Sequence, residues 1–125
     1  MLQQINRLTR MKDWEILFRE GKFCGGRFLT VKYWKVQPEK YPKRDYTQDD
    51  LKIGFAVGLK ISKSAVKRNR VKRQMREVVR LLLKDGKIHK GFMVGVLAKP
   101  EILEKEYEDI GKDVVEVFSR ARLLM

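Results

Sequence analysis

The stretch from Ser64 to Lys84, SAVKRNRVKRQMREVVRLLLK, decides the fold of this chain. It contains eight Lys and Arg residues, one Glu and no Gly or Pro, so it predicts an uninterrupted helix of several turns. Ser64 is expected to cap the first turn, because its hydroxyl can accept a hydrogen bond from an unpaired backbone N–H. Gly86 is expected to end the helix, since glycine adopts the left-handed conformation most easily.

The predicted helix has an apolar face and a basic face. At about 100° per residue, the residues that fall on one apolar stripe and should dock on a core are Val71, Met75, Val78 and Leu82. The opposite face is cationic, and Lys72, Arg76 and Arg80 repeat there at four-residue spacing, where like charges repel one another. A face that is merely solvated usually mixes signs. The pattern therefore favours a polyanion-binding surface, with a plain solvated face as the alternative.

The charge of the whole chain is concentrated in the same region. The 125 residues carry a net charge of +13, and residues 60–90 contribute 12 basic against 2 acidic side chains. The chain is 43% hydrophobic and long enough for one ordinary core, so we predict a single domain over residues 1–125. A basic patch on a folded domain indicates an anionic partner such as a nucleic acid.

Several classes of protein are not favoured by the sequence. Cys24 is the only cysteine, which leaves no disulfide framework and suits a reducing cytoplasm. No stretch reaches the ~20 apolar residues of a membrane span, so no membrane partner is expected. The single His89 lies in a predicted turn, the carboxylates of residues 104–109 fit an exposed helix face, and no nucleotide-binding motif is present. A protein-only enzyme is therefore a weak hypothesis.

The remaining periodicities predict an α+β sandwich. The predicted elements after an irregular lead-in of residues 1–8 are a helix over 9–20, strands over 28–36, 51–59 and 92–98, and a C-terminal helix from 101 to the end. The strand over 51–59 is continuously apolar and should lie in the middle of the sheet. Residues 37–50 read as a long, exposed and mobile hairpin loop without a site. The order is roughly α-β-β-α-β-α on a mixed sheet, with room for an extra short strand around residues 20–26.

Two aromatic residues of the first helix allow two interpretations. Trp14 and Phe18 are four residues apart and therefore share one helix face. From the residues alone the core is the more common place for such a pair. The alternative is a partly exposed platform on which nucleic-acid bases stack.

The chain resembles the bacterial ribonuclease P protein component. The specific part is Arg68-Asn69-Arg70 at the start of the basic helix, preceded by the strand GFAVGLK. NRLTRMKDWEILFREGK is similar to the first helix of that family, and GFMVGVLAKP to its last strand. The resemblance implies a two-layer, ribosomal-protein-S5-domain-2-like fold with a left-handed βαβ crossover, against the usual right-handed rule.

The resemblance also implies a function. In that family the partner RNA carries the catalytic site and most of the Mg²⁺, and it removes the 5′ leader from precursor tRNA. The protein, expected in the cytoplasm at one copy per RNA, binds both the catalytic RNA and the leader. No catalytic or metal-binding residue is then expected on this chain. The runner-up is a structural ribosomal-RNA-binding protein of similar fold.

Two sets of site residues follow from the resemblance. The residues implied to bind RNA are Lys60, Lys63, Lys67, Arg68, Asn69, Arg70, Lys72, Arg73, Arg76 and Arg80. The residues implied to line the leader cleft, between the first helix and the sheet, are Trp14, Phe18, Phe28, Val31 and Tyr33. The second assignment favours the platform interpretation of Trp14 and Phe18.

Overall fold

The computed structural model describes residues 2–125 and confirms the predicted α+β order. The helices and strands are α1 (Met11–Glu20), β1 (Lys22–Gly25), β2 (Leu29–Lys35), β3 (Leu51–Ala56), α2 (Ala65–Lys84), β4 (Phe92–Ala98) and α3 (Tyr107–Arg120). Short 3₁₀ turns lie at Gln4–Asn6, Pro38–Lys40 and Pro100–Glu104. The extra short strand expected around residues 20–26 is β1. The first helix begins at Met11 instead of residue 9, because Arg10 is still extended.

The four strands form one mixed sheet in the order β1-β2-β4-β3. Strand β2 is antiparallel to β1 and to β4, whereas β3 runs parallel to β4 and is joined to it through α2. Because β4 lies between β2 and β3, residues 37–50 cross over the end of the sheet. The prediction that they form a hairpin was wrong. The left hand of the β3-α2-β4 crossover stays a prediction.

Strand β3 lies at the edge of the sheet and not in its middle, which corrects the prediction from its apolar run. The lead-in before α1 covers this edge: the backbone N–H of Leu8 donates to the Ile53 carbonyl at 3.1 Å. The side-chain amide of Asn6 likewise donates to the Leu51 carbonyl at 2.8 Å. Burial of β3 therefore comes from the lead-in as well as from neighbouring elements, and residues 2–8 are not an irregular tail.

Helices α2 and α3 pack on one face of the sheet and enclose the main core. As predicted, Val71, Met75 and Val78 of α2 are buried, and Leu82 is half-buried against them. Their partners on the sheet and α3 are Leu29, Val31, Ile53, Val94, Val96, Ile110, Val114, Val117 and Phe118. The predicted stripe of α2 is thus the one that docks.

Both predicted ends of α2 are confirmed. The Ser64 hydroxyl accepts a hydrogen bond from the backbone N–H of Lys67 at 3.3 Å. At the other end Gly86 adopts φ +65°, its N–H donates to Leu83, and the N–H of Lys87 donates to Leu82. This pair of bonds is the Schellman arrangement, which satisfies carbonyls that the last turn leaves unpaired.

The C-terminal segment is broken where the sequence predicted one continuous helix from residue 101. The 3₁₀ turn Pro100–Glu104 is followed by Lys105 and Glu106 in extended conformations, and α3 then begins at Tyr107. Ile102 is fully buried and anchors the turn in the core. The two extended residues realign the chain so that the apolar stripe of α3 faces the sheet, a change that a continuous apolar period does not reveal.

Helix α1 packs on the opposite face of the sheet. Its Ile16 and Leu17 are fully buried, in a second apolar cluster with Trp34 and Met93. The Trp14 ring lies over Gly54 of the edge strand β3 and Gly95 of the central strand β4. A Cβ atom at either position would collide with the indole. Because glycine has no side chain, α1 can pack closely against the sheet at these two positions.

Residues 37–50 pack against the rest of the domain through their aromatic residues, and the mobility expected of them stays a prediction. Tyr41 and Tyr46 meet the Trp34 ring edge-on, with centroid distances of 5.8 and 5.9 Å. The backbone N–H of Gly91 also donates to the Asp50 carbonyl at 2.6 Å. The segment closes over the second apolar cluster, because its aromatic residues are partners of α1 and β2.

Candidate nucleic-acid interface

Helix α2 and the link before it carry every residue predicted to bind RNA. The exposed members are Lys60, Lys63, Lys67, Asn69, Arg70 and Arg73. The half-buried members are Arg68, Lys72, Arg76 and Arg80. The ten predicted residues thus lie on one helix and the link that leads into it, and together they are named here the cationic face.

Three arginines of the cationic face also bond to the protein itself. Arg68 donates to the Ser62 carbonyl at 2.9 Å and Arg70 to the Leu103 carbonyl at 2.5 Å. A carbonyl orients a guanidinium without neutralising it, so both arginines keep their full charge. Arg80 differs, because it forms a two-bond pair with Glu77 whose shortest N–O distance is 2.6 Å. This pairing lowers the pKa of the Glu77 carboxyl and compensates part of the Arg80 charge.

The other cations of α2 have no acidic neighbour. Among residues 2–125 no carboxylate lies within salt-bridge distance of Lys67, Lys72, Arg73 or Arg76. Arg76 lies four residues after Lys72 and three after Arg73, so these like charges repel one another at a cost of a few tenths of a kcal/mol per neighbouring pair. Such an arrangement is typical of a surface that meets a polyanion, whose phosphates remove the repulsion.

A second surface lies on the α1 side of the sheet. The Trp14 and Phe18 rings stack with centroids 5.9 Å apart and an interplanar angle of 24°. Lys32 of β2 extends beside them, with its Nζ 5.8 Å from the Phe18 centroid and 5.6 Å from that of Phe23 on β1. Phe18 is 49% exposed and Phe23 is 71% exposed. These four residues are named here the aromatic platform.

Sequence reasoning missed Phe23 and Lys32. A signal was present, because the alternation of β2 places Lys32 on the same face as Trp34 and away from Val31. The register of the hairpin then sets Phe23 directly opposite Lys32. What the sequence did not reveal was which face of β2 the first helix would cover.

Three of the residues predicted to line the cleft pack on the side of the sheet that α2 and α3 cover. Val31 is fully buried in the main core, on the side of α2 and α3, and Tyr33 packs against the same core. Phe28 also packs there, with the Nζ of Lys105 5.2 Å from its ring centroid. The prediction that Phe28, Val31 and Tyr33 line one cleft with Trp14 and Phe18 was therefore wrong. Alternation along β2 sends Val31 and Tyr33 to the opposite face of the sheet, and Phe28, which precedes the strand, packs on that side as well.

The segment 37–50 holds α1 at both ends. Near its start, the buried Asp13 accepts hydrogen bonds from Arg44 at 2.5 Å and from the Tyr46 hydroxyl at 2.6 Å. At its end, Glu20 accepts bonds from Lys40 at 2.7 Å and from the Tyr41 hydroxyl at 2.6 Å. Burial, followed by the hydrogen bond to Asp13, raises the pKa of Tyr46 to about 12. We call the Asp13–Arg44–Tyr46 group the clasp; it fixes the helix that carries half of the aromatic platform.

Other candidate sites receive no support from the described residues. Within residues 2–125, His, Cys, Asp and Glu form no group of three or more that could hold a metal ion. Cys24 is free and half-exposed, and His89 is exposed, with its backbone N–H donating to the Leu123 carbonyl at 2.8 Å. The helices described by the structure include none with the length and apolar character needed to cross a bilayer.

Comparison with known proteins decides between the open alternatives. The sequence profile of the family described as Ribonuclease P matches residues 2–122. The chain belongs to the ribonuclease P protein family. A ribonuclease P protein component from Symbiobacterium thermophilum is 41% identical over 123 residues, which cover 98% of this chain and 96% of that protein. One from a Pseudanabaena species is 30% identical over 124 residues, or 99% and 97% of the two chains.

Solved structures support the same fold. The Staphylococcus aureus RNase P protein superposes with a TM-score of 0.77 at 19% identity, covering 96% of this chain and 98% of that one. The Thermotoga maritima RNase P protein gives a TM-score of 0.71 at 24% identity, covering 91% and 96%. At these identities the likeness shows the fold alone, and it agrees with the ribonuclease P family fold expected from the sequence.

Proposed function

We propose that this chain is the RNA-binding protein subunit of ribonuclease P, which assists a catalytic RNA in removing the 5′ leader from precursor tRNA. Membership of the family supports the partnership with the RNA. We place the catalytic site and most of the Mg²⁺ in that RNA, with one protein bound per RNA in the cytoplasm.

The observation that carries this proposal is the separation of two RNA-binding surfaces by the sheet. The cationic face lies on α2, on the side of the main core, whereas the aromatic platform lies beside α1 on the other side. A protein with a single structural RNA partner needs only the first surface. Two surfaces of different chemistry suit a protein that holds a folded RNA and a single strand together.

The cationic face would act by electrostatics. Its uncompensated lysines and arginines would neutralise phosphates of the catalytic RNA and release condensed counterions. Screening between the two RNAs would then lower the Mg²⁺ concentration that the ribozyme needs. Each neutralised phosphate should contribute a log–log salt slope of roughly −0.7 to −0.9 to the binding constant.

The aromatic platform would hold the leader. Aromatic faces stack bases at about 1–3 kcal/mol each without reading their identity, which leaders of variable sequence require. Phe18 and Phe23 offer exposed rings on either side of the Lys32 ammonium, which can contact the intervening phosphate. The Trp14 ring stacks on that of Phe18 and packs against Gly54 and Gly95.

The test compares precursor and mature tRNA. In the reconstituted holoenzyme, Phe18→Ala should weaken precursor binding about tenfold, because one stacked base is lost, and leave mature tRNA binding unchanged. Val115→Ala, which truncates an exposed residue of α3, serves as the control and should change neither affinity. Equal losses for the two tRNAs would contradict the assignment of the platform to the leader.

A further inference from the structure

A cavity of about 240 Å³ opens between the lead-in and α2. Its apolar part is formed by Ile53 and Phe55 of β3 together with the lead-in, and its cationic rim by Arg7, Lys72 and Arg76. None of its lining residues is acidic. The cavity thus combines an apolar floor with positive charge at its mouth.

The wall formed by the lead-in is fixed in place. The backbone N–H of Leu8 donates to Ile53, and the Arg7 Nε donates to the Leu2 carbonyl at 2.8 Å. Leu2 and Leu8 are each only 4% exposed, so both ends of the wall are anchored. The cavity is therefore preformed, as ligand sites usually are.

The cationic rim continues along α2. Lys72, Arg76, Arg80 and Lys84 repeat every four residues, about 6 Å apart along the helix axis. Arg80 and Lys84 line a second cavity, which shares Leu2 with the first. Arg80 is paired with Glu77, whereas Lys72 and Arg76 pair with no carboxylate among residues 2–125 and place two uncompensated charges beside the first cavity.

We propose that this cavity receives the base of one unpaired nucleotide of the partner RNA, with its flanking phosphates on Lys72 and Arg76. The proposal rests on the proposed function and names one subsite of the cationic face. An inorganic anion would gain nothing from the apolar part of the lining, and an apolar ligand would gain nothing from its three cations. The volume lies below the ~300–1,000 Å³ of pockets for drug-sized ligands, which suits a base without its sugar.

Splayed-out bases are the feature that proteins read in folded RNA. They stack on aromatic rings and on planar guanidinium groups, because every base has a π-face. Phe55 supplies a ring in the cavity, and Arg7 and Arg76 supply guanidinium groups. Insertion of a base would fix the register of the RNA along α2, which phosphate contacts alone do not determine.

The test blocks the cavity without changing any charge. Thr9 is exposed and lines the cavity, so Thr9→Trp should fill it. The variant should bind the catalytic RNA roughly tenfold or more weakly, while the slope of log affinity against log salt stays that of the parent, because no phosphate contact is removed. Ser119→Trp adds the same ring at an exposed site of α3 and should bind like the parent.

Chemical probing of the RNA bases gives a second measurement. The parent protein should protect one unpaired base that Thr9→Trp leaves reactive, while the other protections remain. Parent-like affinity of Thr9→Trp, a flatter salt slope, or the absence of a protected unpaired base under the parent protein would each overturn the inference. Failure of the parent chain to bind the catalytic RNA at all would instead refute the proposed function.

Discussion

Replacing Asp13 with Asn tests whether the clasp holds α1 on the sheet. The substitution keeps the shape of the side chain but removes the negative charge that Arg44 and the Tyr46 hydroxyl share. Asp13 is 2% exposed, so water cannot replace the lost interactions on its side. The neutral amide at position 13 would have only one oxygen that can accept hydrogen bonds from the Arg44 guanidinium and the Tyr46 hydroxyl.

The expected magnitude follows from the exposure of the two partners. Removing one partner of a fully buried ion pair costs about 3–5 kcal/mol, because the other charge stays buried and unpaired. The Arg44 side chain is 25% exposed and can be partly resolvated by water, so we expect a loss of about 2 kcal/mol in the free energy of unfolding. For a chain of this length, that corresponds to a Tm lowered by roughly 6–10 °C.

Urea unfolding followed by tryptophan fluorescence measures this loss, since Trp14 and Trp34 both lie in the region that the clasp secures. Asp45→Asn is the matched control, because it removes the same charge from an exposed side chain of the same segment. A destabilisation by Asp13→Asn of less than about 0.5 kcal/mol, within the range of ordinary surface substitutions, would refute the reasoning. So would a loss equal to that of the control.

Three further predictions concern single positions. The folded-state pKa of Tyr46 is raised above its unfolded value to about 12. The stability that this shift contributes is therefore complete below about pH 10 and is lost as the pH rises through about 12. Tyr46→Phe should remove this pH dependence from the alkaline unfolding curve. Gly54→Ala should displace the Trp14 ring, lower stability by about 1–3 kcal/mol and weaken precursor tRNA binding, whereas Gly58→Ala, with open space around it, should do neither. Gly86→Ala should cost about 1 kcal/mol in urea unfolding, because alanine is strained at φ +65° although nothing lies within 4 Å of the added Cβ; an unchanged midpoint would show that the left-handed cap is dispensable.

The parts of the fold that the sequence predicted well are those with local signals. Helix α2 carries its cap residue, its docking stripe and its terminating glycine within one stretch, and all three are confirmed. Arg73, Arg76 and Arg80 lie opposite the docking stripe, so this part of the cationic face was predictable as soon as the stripe was recognised.

The errors arose where distant parts of the chain meet. The apolar run of β3 indicates that both faces of the strand are covered, which suggested a central position in the sheet. It does not show that β3 is an edge strand whose free edge is covered by the lead-in. Residues 37–50 have no hydrophobic period, because Tyr41 and Tyr46 contact Trp34 at irregular spacing. The aromatic platform was only half predicted for the same reason. Tertiary packing decides which face of β2 is covered by α1, and this packing places Lys32, not Val31, beside Phe18.

The most direct test of the account is leader removal by a bacterial ribonuclease P RNA at a Mg²⁺ concentration too low for the RNA alone. Adding the purified chain should restore cleavage of precursor tRNA at the 5′ end of the mature sequence, and the chain without the RNA should cleave nothing. No rescue by a folded chain that binds the RNA would contradict the central claim and favour a purely structural RNA-binding role. Cleavage by the chain alone would contradict it as well, since the catalytic site would then belong to the protein.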